Sequence, residues 1–130
     1  MNPTLPEQLA KEKIVHVTTY EKDGTAGTVA MWFLFMSGKI YMSTDNNSVK
    51  VRRIATDPRV TLQFGKKKKG PILHGRARIT SDEQTIKGAA QGLFGKYDSS
   101  GQWGESVENM VRGFLRRHPS VLLEITLDDI

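Results

Sequence analysis

Cysteine is absent from this 130-residue chain. Thiolate catalysis, cysteine-ligated metal and a disulfide framework are excluded with it, and the absence suits a reducing compartment. Long apolar runs are missing too. The longest, Val29–Met36 (VAMWFLFM), is too short to cross a membrane and suits a strand buried on both faces. The opening MNPTLPEQLAKEK has no apolar core of the kind a signal peptide needs, so a cytoplasmic protein with no membrane segment is expected. The histidines are His16, His74 and His118, and none stands at metal-ligand spacing from another histidine or a carboxylate. There is no G-x-S-x-G elbow, no G-x-G-x-x-G turn and no Walker loop, and the acids are scattered. No catalytic side chain and no metal site can be assigned. An enzyme built on this chain would take its chemistry from an organic cofactor.

Acids are also scarce in one particular segment. Residues 50–78 hold ten of the nineteen Lys and Arg but a single acid, Asp57, so the segment is strongly basic within a chain of net charge +5. Two readings follow: an anionic partner, either a phosphorylated small molecule or nucleic acid, or a solvated basic face.

What is present reads as one domain of mostly β structure. Leu5–Glu12 predicts a short helix, and Ile14–Glu21 a strand. The turn Lys22-Asp23-Gly24-Thr25 leads into a return strand from about Gly27 to Met36. Ser37-Gly38-Lys39 turns the chain into Ile40–Thr44, which would complete a three-stranded antiparallel meander. A short basic helix over Asn47–Ala55 and strands at Arg59–Phe64, Pro71–Thr80 and Val121–Leu127 follow. The Lys66–Lys69 loop reads as a solubilising tip or an attractor for an anionic tail. Ser81-Asp82-Glu83-Gln84 opens an amphipathic helix to about Lys96, and a second helix covers about Glu105–Arg117. Six strands with flanking helices predict a mainly β (α+β) fold, a closed or split antiparallel β-barrel.

The stretch Ile40–Phe64 carries the clearest chemistry. Asn46, Asn47 and Ser48 offer caps to a helix whose free N–H groups, with Lys50 and Arg53 one turn apart, suit a phosphate. As residue types alone, Lys50 and Arg53 fit exposed helix positions equally well. The order Asp23-Gly24, Trp32-Phe33, Ser37-Gly38, Ser43-Thr44, Ser48-x-Lys50 with Ile54, and Asp57-Pro58-Arg59-Val60 resembles the pyridoxamine-5′-phosphate-oxidase-like split-barrel superfamily. Within it, the chain is most similar to the small branch that uses FMN or the deazaflavin coenzyme factor 420. The resemblance implies that Ser43, Thr44, Ser48 and Lys50, with Arg53, hold the cofactor phosphate. It also implies that Met31, Trp32 and Phe33 lie beside the ring, and that the protein is a homodimer with cofactors at the interface. Trp103 and the second helix would then serve the partner subunit. An arginine between the serine and the lysine belongs to the phosphate set of the oxidase proper; Val49 stands there instead. The oxidase's C-terminal substrate-binding region also has no counterpart, so pyridoxamine phosphate is not the expected substrate. The expected function is hydride transfer to or from a small organic substrate. The alternatives are a nucleic-acid-binding basic barrel, disfavoured because the aromatics do not interleave with the basic residues, and a barrel that binds haem or stores a cofactor without turnover.

Overall fold

A computed structural model of the chain describes residues 5–66, 70–98 and 106–128. Its elements are α1 (Leu5–Lys11), β1 (Val15–Tyr20), β2 (Ala26–Met31), β3 (Leu34–Met36), β4 (Lys39–Asp45), α2 (Val49–Thr56), β5 (Arg59–Phe64), β6 (Ile72–Ile79), α3 (Glu83–Tyr97), α4 (Val107–Arg116) and β7 (Ser120–Leu127). The expected Trp103 and Lys67–Lys69 lie outside the described residues.

All seven strands belong to one antiparallel sheet in the order β2-β1-β5-β6-β7-β4-β3. The strands alternate, as period-2 side-chain geometry requires. Val15 and Val17, Val60 and Leu62 and Phe64, Leu73 and Ala77, and Leu123 and Ile125 all turn to one face. There they join Phe33, Ile40 and Met42 in one buried cluster, and curling the sheet around that cluster gives the split barrel. Leu9 of α1 and Ile54 of α2 also belong to this inner core. A second cluster lies outside: Ile86, Ala89, Ala90 and Leu93 of α3, with Val111 and Phe114 of α4, cover Tyr41 and Leu122. Burying each large side chain of this kind stabilises the fold by about 1.5–3 kcal/mol. Leu115 of α4, next to the buried Phe114, is 42% exposed.

The apolar run does not form one strand buried on both faces, and the expected meander does not form. It breaks at Trp32-Phe33 into β2 and β3, which occupy opposite edges of the sheet. The cause is local. The Phe33 amide donates to the Tyr97 hydroxyl (2.9 Å), and the Phe33 carbonyl accepts from that hydroxyl (2.7 Å), so neither group is left for a ladder. The described residues accordingly form seven strands rather than six.

Candidate functional site

The slit of the barrel follows from the pairing register. β3 pairs only with Lys39–Tyr41, so from Met42 onward β4 has a strand partner on its β7 side alone. β2 likewise pairs only with β1. These two half-open edges flank the slit. Val29 pairs with Val17, so both face the barrel interior; yet Val17 is fully buried and Val29 is 44% exposed. The interior is therefore open along β2.

β4 delivers Ser43 and Thr44 to opposite faces. Thr44 is buried and its hydroxyl lies 3.4 Å from that of Ser48. Ser48 caps α2, accepting from the Val51 amide at 3.3 Å, while Asp45 accepts from the Asn47 amide at 2.8 Å. Ser43 points the other way, toward α4. Of the three basic side chains of α2, Arg52 and Arg53 pair with Glu21 and Lys50 does not. Arg53 donates through Nε to Glu21 Oε1 at 2.9 Å, an oxygen it shares with Arg52. Hydrogen bonds from Arg53 and then Arg52 hold the Glu21 carboxyl below its usual range. The Arg53 guanidinium also lies where a Cβ on Gly27 would sit, so it clamps α2 to the β1–β2 hairpin. Lys50 is half-buried, and among the described residues it makes no hydrogen bond or ion pair. Burial pushes its amine below the ordinary lysine range, with the Asp45 charge opposing. Thr44 and Ser48 thus meet at the start of α2, where Lys50 occupies the first turn of the helix. Arg53, one turn on, has its charge matched, and Ser43 faces the other side of β4.

At the far end of β2, Met31 packs partly against the inner core. Trp32 is 51% exposed and stacks on Tyr97, with centroids 4.8 Å apart and planes 7° apart. Phe33 is fully buried edge-on to Phe64, so its side chain is core rather than surface. The Lys13 carbonyl also lies 2.8 Å from the Tyr97 hydroxyl and shares its single proton with the Phe33 carbonyl. Lys96 Nζ lies 3.8 Å from the Phe33 ring centroid. Burial, and then the Lys13 charge, lower its pKa to about 8 against the pull of Glu12. Sequence reasoning gave Lys96 and Tyr97 no role. The signal available was the aromatic-basic cluster Phe94-Gly95-Lys96-Tyr97 at the end of an amphipathic helix.

The outer face of β1, β5 and β6 is polar. Tyr20 bonds to Thr61 (2.6 Å), which lies 3.3 Å from His74 Nδ1, so His74 has a structural partner. Arg76 is exposed; Arg78 is bound to Glu124 at 2.8 Å. Burial raises the Glu124 carboxyl, but hydrogen bonds from Arg78 and Tyr41 outweigh it and hold the group below its usual range. Among the described residues no cluster of His, Asp and Glu suits a metal ion, and no helix is long and apolar enough to cross a membrane.

A family model described as pyridoxamine 5′-phosphate oxidase matches residues 1–127. A comparison with curated proteins finds no match. Among solved structures, an F420 reductase is similar at TM-score 0.63 and 19% identity, over 97% of this chain and 95% of that one. A FAD-binding protein from Mesorhizobium loti is similar at TM-score 0.67 and 17% identity, over 95% and 84%. The haem storage protein of Vibrio cholerae is similar at TM-score 0.70 and 8% identity, over 95% and 88%. At these identities the likeness is one of fold.

Proposed function

Since the chain belongs to the pyridoxamine 5′-phosphate oxidase family, we propose that it is an oxidoreductase holding a flavin-type cofactor, FMN or the deazaflavin factor 420, in the slit between β2 and β4. Lys50 carries the proposal: it is a half-buried ammonium on the first turn of α2 that makes no hydrogen bond or ion pair among the described residues and feels the Asp45 charge only at longer range, and the Ser48 and Thr44 hydroxyls stand at the same helix start. Leaving a partly buried charge unmatched is unfavourable, and a phosphate supplies the missing charge and accepts from the Ser48 and Thr44 hydroxyls and free helix N–H groups. The residues present therefore fit the phosphate end of such a cofactor.

When bound, the cofactor supplies hydride chemistry to a small organic substrate. This chain's part is to bind and orient. Lys50, Thr44 and Ser48 fix the phosphate end. Met31 and the exposed Trp32 flank the ring end, with Trp32 held in place by Tyr97. The Phe33 backbone is committed to Tyr97 and the Phe33 side chain to the core, so Phe33 acts by position. Val49 is 51% exposed, so no charge fills the position where pyridoxamine-phosphate oxidases proper place an arginine.

Absorbance and fluorescence titrations with FMN and with factor 420 test the reading. Saturable binding of one at micromolar concentration is expected, and Lys50→Ala should weaken it about 10–100-fold, the worth of one charge-assisted hydrogen bond. Binding of neither would refute the proposal; a haem absorption band with added haemin, and no flavin binding, would favour storage of haem.

A further inference from the structure

On the outer side of the sheet, α4 and the His118-Pro119 loop enclose a cavity of about 420 Å³ against β4. That volume is within the range of small-molecule sites. Arg112, Arg116 and His118 line it, together with Ser43, and Met110 and Phe114 give it an apolar part. Among the described residues no carboxylate lines it. Arg112 makes one long hydrogen bond, 3.4 Å to Asn109 Oδ1, and Arg116 makes no side-chain hydrogen bond or ion pair among the described residues. Two described acids on the flanking elements do not pair with them. Glu108, one turn before Arg112 on α4, forms no ion pair with it, and Asp45, on the same strand face as Ser43, accepts from the Asn47 amide.

The partial negative charge at the C-terminal end of α4 attracts cations and accounts for Arg116 in the last turn. It does not account for Arg112 a turn earlier, nor for a hollow backed by Phe114 with hydroxyls in its wall. Two guanidinium groups and an imidazole around such a hollow, with no acid to match them, fit a negatively charged guest with an apolar body. We infer that this cavity binds a small organic oxyanion, a carboxylate or a phosphomonoester. It is separate from the slit, because Ser43 and Thr44 point to opposite faces of β4.

Isothermal titration calorimetry with benzoate, phenyl phosphate and benzyl alcohol tests this. At least one anion should bind saturably, about tenfold or more tighter than the neutral alcohol. The tighter of the two names the oxyanion. The double variant Arg112→Gln/Arg116→Gln should lose about tenfold of that affinity, whereas Arg112→Lys/Arg116→Lys retains most of it. Lys50→Ala should leave it unchanged, which separates this site from the proposed phosphate site in the slit. Equal binding of benzyl alcohol, no saturable binding of either anion at millimolar concentration, full affinity in the glutamine variant, or a parallel loss in Lys50→Ala would overturn the inference.

Discussion

Lys50 and Lys96 are both half-buried amines below the ordinary lysine range, and they differ in legibility. Lys50 stands two residues after a capping serine, so local pattern reasoning found it. Lys96 owes its environment to Phe33 and Lys13, far away in the chain, and no window on the sequence brings them together. Its environment has a consequence for stability. Folded Lys96 releases its proton at about 8, while in the unfolded chain it holds the proton to its ordinary 10.5. Between those values the unfolded state binds more protons, so this group makes stability rise with pH. Lys96→Met keeps the stem and removes the charge. In urea denaturation the variant should be the more stable form below pH 8, with the gap to the parent closing toward pH 10.5. A gap constant across that window would contradict the burial of the charge.

Among the elements, β5 was legible to the residue, and the helices nearly so, because caps and breakers announce them: Ser48, Asp82 and Ser106 accept from amides three residues on. The break at Trp32-Phe33 was not legible. An apolar run shows that a segment is buried but not which neighbours claim its backbone, and here the claimant is a tyrosine 64 residues away. That junction ties the β2–β3 connection, the approach to β1 and the end of α3 to a single hydroxyl. Tyr97→Phe retains the ring stacked on Trp32 and strips the hydroxyl. It leaves the buried Phe33 donor and acceptor unmatched, at a cost of about 1–3 kcal/mol. The loss would appear as a lower urea midpoint with an unchanged slope; an unchanged midpoint would show that the junction is held by packing alone.

For the whole molecule, the fold class was legible because six short segments with turn signals admit few architectures, and the ordered motifs narrowed them to a split barrel. The substrate side was not, since it depends on surfaces brought together by the fold or by a second chain. β2 presents an unpaired edge, an outward row of Ala26, Thr28 and Ala30, and the half-exposed Val29. Such an edge favours cover by another chain. We therefore expect sedimentation equilibrium to give twice the 14.6 kDa mass of one chain; a single-chain mass would leave the slit with one protein wall. The slit itself has a further consequence. Its two margins, β2 and the second half of β4, present main-chain amides and carbonyls that no strand pairs among the described residues. A rim made of backbone recognises the hydrogen-bonding outline of a guest while remaining almost indifferent to side-chain identity, since among substitutions only proline deletes an amide donor. Sequence can therefore drift a long way around such a rim without altering its donor and acceptor pattern.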